Sequence, residues 1–215
     1  MHARRNHVIK DGGFTLIEIL AVIAILGLLM TLAIVNFSKQ RERGVVAATK
    51  ARIITLQNEI QKYNTSKGGP PYDKLAKIGV QANNQTNEGV EALYAALQNK
   101  DFPDGSILDE TWLSNTDGDV TSTSFHRIAG FKSELFEITD AWGNPLAYFH
   151  YTGYGGKQMV QMAEAAEGED AEQAVTPWQS KKTGTFANPD SYQIISTDTD
   201  RIFGTEDDVT NFDHD

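Results

Sequence analysis

The amino-acid sequence predicts an α+β chain in which a long amino-terminal helix comes first and a small antiparallel sheet packs on its second half. Three observations carry that expectation. A dense apolar block runs from Phe14 to Phe37, a helical stripe of apolar residues follows from Arg43 to Tyr63, and strand-like runs separated by Gly, Asn and Pro turns are confined to the later chain. Helix first and strands afterwards is the order of an α+β domain.

The apolar block reads FTLIEILAVIAILGLLMTLAIVNF, residues 14–37. Glu18 is its sole ionisable residue, and Thr15, Thr31 and Asn36 are its other polar side chains. About 20 apolar residues cross a bilayer as a helix, so the block is long enough. Arg4, Arg5 and Lys10 against Asp11 make the preceding residues net positive, whereas the whole chain carries a net charge of −10. Positive charge before the span and acid after it favour an N-terminus inside and a C-terminus outside. A plain signal anchor or a cleaved secretory signal would share this pattern. Thr31-Leu32-Ala33 is a poor small-x-small site that is still apolar. A carboxylate within an apolar span costs a few kcal/mol and calls for a partner, which neither an anchor nor a signal supplies to Glu18.

After Phe37 the polar run SKQRERG leaves the apolar block. Val46, Ile53, Leu56, Ile60 and Tyr63 then recur at helical spacing and form one stripe of an amphipathic helix. The expectation is a single helix of roughly 50 residues whose inner stripe packs in the core. Lys67-Gly68-Gly69-Pro70-Pro71 ends it, because Gly unwinds a helix and Pro cannot continue one. A second helix is expected at about Glu88–Gln98, capped by Asn87 or Thr86, with Val90, Leu93, Tyr94 and Leu97 as its buried face. Strands are expected at Leu135–Ile138, Leu146–Tyr151 and Tyr192–Ile195. Between Met159 and Ala174 lies QMAEAAEGEDAEQA, acidic and without aromatics, which predicts a mobile or helical surface insertion.

Composition excludes several functions. Acids number 29 against 19 bases, and no basic cluster occurs beyond the first residues, so a nucleic-acid surface is not expected. With no cysteine, disulfides, zinc-thiolate sites and thiol catalysis are ruled out. His126, His150 and His214 lie far apart, and no phosphate-binding loop, nucleophile elbow or paired-histidine zinc motif is found. Asp117-Gly118-Asp119 reads as a turn, with a secondary claim as an ion site. The sequence predicts no enzyme.

Gly13-Phe14-Thr15-Leu16-Ile17-Glu18 resembles the prepilin peptidase site of type IV pilins and type II secretion pseudopilins. The resemblance implies a leader of residues 1–13 removed after Gly13, with Phe14 as the N-methylated mature terminus. It implies an assembly helix at 14–37 and an outer domain at 38–215. Glu18 would pair with the terminal amine of a neighbouring subunit, and a buried carboxylate and ammonium are tolerable only when paired. Many relatives carry a Pro near the position of Val35. Here Ala33-Ile34-Val35-Asn36 has none, so any loosening of the helix rests on Gly27, Asn36 or Gly44. Thr86-Asn87-Glu88-Gly89-Val90-Glu91-Ala92-Leu93 and Asp140-Ala141-Trp142-Gly143-Asn144-Pro145 resemble segments of the major pseudopilin of type II secretion. Typical members are shorter, and the stretches at about 100–130 and 155–190 read as insertions.

Asp198, Asp200, Glu206, Asp207 and Asp208 set five carboxylates within eleven residues of the tail. Calcium takes six to eight oxygens from carboxylates and backbone carbonyls, and such a loop offers both. It is not an EF-hand, because the third ligand position falls on Ile202 and the twelfth has no Glu. From composition alone a solvated acidic terminus stays equally open. The pseudopilin resemblance implies a calcium loop here, with Asp200, Gly204, Asp207 and Asp208 matching its pattern, and Asp198 and Glu206 as further candidates.

The function the resemblance implies is a structural subunit of a type II secretion pseudopilus. It would be a homo-oligomeric fibre that meets minor pseudopilins, the inner-membrane platform and prepilin peptidase, and sits in membrane lipid before assembly. Its place would be the bacterial inner membrane, single-pass, with the N-terminus cytoplasmic and the C-terminal domain periplasmic. Two alternatives are a type IV pilin for adhesion, motility or DNA uptake, and a monomeric membrane-anchored calcium- or ligand-binding module. The first lacks support from a C-terminal disulfide pair, since there is no cysteine.

Overall fold

The structure, a computed structural model, describes residues 14–105, 108–127 and 133–213, with the side chains of 32–36 and 38 outside that description. The fold is α+β, as expected. Helix α1 spans Leu16–Lys67, and the chain divides into two compact units, residues 1–43 and 44–215. The first unit contributes the apolar part of α1, where Leu16, Ile17, Ile19, Leu20, Ile23 and their neighbours up to Met30 are exposed all round. A helix apolar on every side is one meant for apolar surroundings or for other helices.

In the second unit, Ile53, Leu56 and Ile60 are buried and Val46 and Tyr63 pack partly buried against the same core, which is the stripe that the spacing predicted. α1 stops where expected. Gly68 takes a positive φ of 83° and its N–H bonds to the Asn64 carbonyl at 2.8 Å, a left-handed helix end that glycine adopts without strain.

Helix α2 (Glu88–Leu97) is buried on every side, not only along Val90, Leu93, Tyr94 and Leu97. Its cap differs from expectation. Asn87 takes a left-handed φ of 59° and its side chain makes no capping bond. That side chain is used elsewhere: Nδ2 donates to Glu137 and Thr116, and Oδ1 accepts from the Gln161 N–H. Buried as it is, Asn87 serves three neighbours, and the long-range bonds displace the local cap.

Among the described residues, seven short strands form three antiparallel sheets: β1 (Leu113–Ser114) with β2 (Glu137–Ile138); β3 (Ala147–His150), β6 (Tyr192–Ser196) and β7 (Val209–Thr210) in the order β3-β6-β7; and β4 (Gln158–Gln161) with β5 (Glu172–Val175). β3 and β6 are covered on both faces. Leu146, Tyr148 and Ile194 join the core built on α1 and α2, whereas Ala147, Phe149 and Ile195 join a second core with Val160, Met162 and Val175. Alternation along a strand sends neighbours to opposite faces, so one central pair of strands serves two cores.

The second core corrects the reading of residues 159–174. Their two ends are strands of a hairpin, not a helix or a mobile insertion. Val160, Met162 and Val175 point into apolar company, while the acids of 164–170 sit largely exposed on the connecting loop. Composition averaged the loop with its strands and hid the hairpin.

The Asp140–Pro145 turn ties the sheet to α1. Asp140 Oδ1 accepts from the N–H groups of Trp142 and Asn144, and Oδ2 accepts from the Ser196 hydroxyl. Gly143 takes a φ of 89° there. From α1, Arg52 donates to the Thr139 and Asp140 carbonyls and lies over the Trp112 ring at 5.2 Å, while Thr49 Oγ1 accepts from the Ala141 N–H.

Candidate functional site

Two regions carry the chemistry singled out by sequence, one in each unit. The first is the start of α1. Gly13 and the rest of residues 1–13 lie outside the described residues. Phe14 is described and is 84% exposed. Thr15 precedes the helix, and Glu18 stands at its third position. Glu18 Oε2 accepts from both the N–H and the hydroxyl of Thr15 at 2.8 Å, and the Thr15 hydroxyl accepts from the Glu18 N–H at 3.3 Å. This reciprocal pair is a capping box, which satisfies donors that a helix start leaves unpaired. The sequence holds its signature, Thr-x-x-Glu before an apolar run. Glu18 therefore has a partner within its own chain.

No helix among the described residues is long and apolar enough to cross a membrane. From Leu16 onward the apolar block lies within α1, which runs on to Lys67. Val35 and Asn36 have side chains beyond that description.

The second region is the loop from Thr197 to Asp208 between β6 and β7. Asp198 and Arg201 hold left-handed backbones, φ 53° and 61°, and Gly204 takes φ 88°, so the loop doubles back tightly. β5 pins it: the Gln173 amide donates to the Arg201 carbonyl at 2.6 Å and accepts from the Phe203 N–H at 3.2 Å. Four of the five candidate acids have a local partner, and Glu206 is exposed. Asp198 accepts from the Thr199 hydroxyl, Asp200 from the Ile202 N–H, Asp207 from the Thr205 hydroxyl and Asp208 from the Gly204 N–H. Asp208 is different in one respect. It is buried, and its Oδ1 has no hydrogen-bond partner among the described residues. Burial first, then the charges of Asp200 and Asp207, push its carboxyl up to about 7. Asp200, Asp207 and Asp208 thus share one electrostatic neighbourhood, although among the described residues no three tail acids bring oxygens within 4.8 Å of one another. An all-oxygen loop with one orphaned buried oxygen suits a calcium ion that also draws on backbone carbonyls.

Sequence reasoning missed a third place. Glu91 reads as part of a polar helix face, yet it is fully buried beside Asp117 and Asp119. Burial, then the charges of Asp119 and Asp117, push Glu91 up to about 10. Burial and Asp117 push Asp119 up to about 7. Only the Asp117-Gly118-Asp119 turn had signalled it. Among the described residues, His126 faces Phe125 and Tyr94, and His150 pairs through Nδ1 with the Thr152 hydroxyl, so the two form no common site; His214 lies outside them.

Comparison with known proteins supports the reading of the first region. Residues 9–34 match the Prokaryotic N-terminal methylation motif. Through this motif the chain is similar to type IV pilin-like proteins, the class that contains pilins and pseudopilins. Within that class it is similar to the Type II secretion system core protein G of Aeromonas hydrophila, 26% identical over 103 residues, which are 46% of this chain and 63% of that one. The chain thus spans less than two thirds of that relative. No solved structure matches it.

Proposed function

We propose that this chain is a structural, non-enzymatic subunit of a type II secretion pseudopilus. In this reading prepilin peptidase cuts between Gly13 and Phe14, Phe14 is N-methylated, and residues 14–37 hold the subunit in the inner membrane before assembly. The N-terminus lies on the cytoplasmic side, and residues 38–215 form the periplasmic domain. Subunits then polymerise through the apolar helices, alongside minor pseudopilins and the inner-membrane platform. The observation that carries the reading is the methylation motif over residues 9–34, with Glu18 as the lone acid of an otherwise apolar helix start. The similarity to core protein G favours a pseudopilus over an adhesive or motile pilus.

Glu18 has two roles in this account. Before assembly it caps its own helix through Thr15, which gives the carboxylate hydrogen-bond donors within the chain. In the fibre it meets the amine that cleavage creates on a neighbour, and a buried ion pair becomes tolerable because both charges are matched. Glu18→Gln is therefore expected to leave cleavage and methylation intact and to abolish fibre formation when the chain is overproduced with its assembly machinery. Normal fibres from Glu18→Gln chains would remove the charge pairing.

The tail loop is proposed to hold calcium through Asp200, Asp207 and Asp208, with Asp198 as a further ligand. The ion would relieve the crowding of these acids and fix the strand pair β6–β7. A ligand that binds the folded form alone stabilises it in proportion to RT ln(1 + [L]/Kd).

A further inference from the structure

We propose that Glu91, Asp117 and Asp119 form a second calcium site, which clamps the 115–119 loop onto helix α2. It is separate from the tail loop and does not depend on the secretion reading.

One carboxylate oxygen from each residue lies within 4.8 Å of the other two. Glu91 comes from the first turn of α2, whereas Asp117 and Asp119 come from the loop after β1. Glu91 and Asp119 are both 0% exposed. Among the described residues neither oxygen of Glu91, neither oxygen of Asp119, nor Asp117 Oδ2 has a hydrogen-bond partner. Orphaned buried carboxylate oxygens are costly, because each has lost its water without gaining a partner. A cation bound among the three clustered oxygens would relieve that cost.

The surroundings support this use. The Asp119 N–H donates to Asn115 Oδ1 at 3.1 Å and to Asp117 Oδ1 at 3.2 Å, and Asn115 Nδ2 donates to the Asp119 carbonyl at 2.9 Å. Gly118 takes a φ of 72° and lets the loop turn between its two acids. These bonds hold the backbone and leave the Asp119 carboxylate unused. Glu137 stands nearby, but its oxygens are taken by Asn87 and Thr116, so it lends negative charge without being a free ligand. Asp117 is only half-buried, which gives an ion and its waters a way in.

The donors are all oxygen, which selects a hard cation and disfavours zinc or copper. Calcium fits better than magnesium, because it accepts several carboxylates in irregular geometry and does not insist on a compact octahedron of waters. The site would tie a stretch that reads as an insertion, at about 100–130, to the central helix of the domain.

Equilibrium dialysis of the purified full chain in detergent, with calcium chloride as the probe, tests the site. Asp200→Asn/Asp208→Asn removes the tail acids, and Glu91→Gln/Asp119→Asn removes the buried ones. The expected result is that the tail variant still binds one calcium and that adding Glu91→Gln/Asp119→Asn abolishes it. Asp117→Asn, at a half-exposed position that tolerates the change, is expected to weaken the remaining calcium at least tenfold. Folding of each variant is checked by circular dichroism. If the tail variant binds no calcium, or binds it as tightly with Asp117→Asn, the second site is overturned. A chain that binds one calcium, insensitive to the tail substitutions and lost with Asp117→Asn, supports the second site and sinks the tail loop instead.

Discussion

Asp140 and Asp73 are both buried aspartates, yet they differ in how well the fold repays them. Asp140 is 1% exposed and accepts three hydrogen bonds, two from its own turn and one from Ser196 on β6. The sequence marked this segment only by its resemblance to a pseudopilin turn, and the carboxylate's part in organising it emerges from the fold. Asp73 gave no such signal. It is 3% exposed just before the short 3-10 helix Leu75–Ile78, and its side-chain partner is Gln158 Nε2 at 3.3 Å. Burial pushes its carboxyl above the ordinary range, opposed by the His150 backbone N–H and by Lys74 and reinforced by Glu88. A carboxyl whose pKa is higher in the folded chain favours folding when protonated. Its contribution is greatest below the unfolded value and is lost as pH rises through the folded one. Asp73→Asn is therefore expected to gain stability over the parent at about pH 7, with the gain shrinking toward about pH 3, below the unfolded value, where both states are largely protonated. Urea unfolding at the two pH values checks it, and a gain that grows on acidification would contradict the assignment.

At the scale of elements, helical periodicity was the most readable signal. It gave the bounds of α1 and α2 because apolar stripes and Gly or Pro stops are local properties. What it could not give was burial of the polar face of α2. That face is covered because Gly89 lets the helix approach the sheet: a Cβ there would overlap Gln158 Oε1 and the Tyr148 carbonyl oxygen. Gly89→Ala is expected to destabilise the domain by about 1–3 kcal/mol, as overpacking does, although alanine favours helix elsewhere. A shift in the midpoint of denaturant unfolding measures it. An unchanged or raised midpoint would show that the helix is free to retreat. The β4–β5 hairpin was illegible for a related reason. Its strands are four residues long and bury only alternate side chains, so the acids of the intervening loop dominated the composition.

For the whole molecule, the two units separate two jobs. Residues 44–215 build two cores on opposite faces of β3 and β6, which explains how a domain with short strands and no disulfide can be stable. Full burial of each large apolar side chain contributes about 1.5–3 kcal/mol, and Tyr148, Phe149, Leu56 and Ile194 reach it from different elements. The start of α1, by contrast, presents apolar side chains on all sides and a capped Glu18, an arrangement that gains stability once other apolar surfaces cover it. The N-terminal methylation motif was legible because it is a short linear pattern. The proposed cation sites were legible only in part, since the tail acids are adjacent in sequence whereas Glu91 meets Asp117 and Asp119 only after folding. The claim on which the rest depends is that the first unit is processed to begin at Phe14. Mass spectrometry of the N-terminal peptide, from chain purified out of membranes containing prepilin peptidase, tests it directly. The expected peptide starts at Phe14 and carries one added methyl group. A peptide that still begins at Met1, or one cut beyond residue 30, would contradict the account.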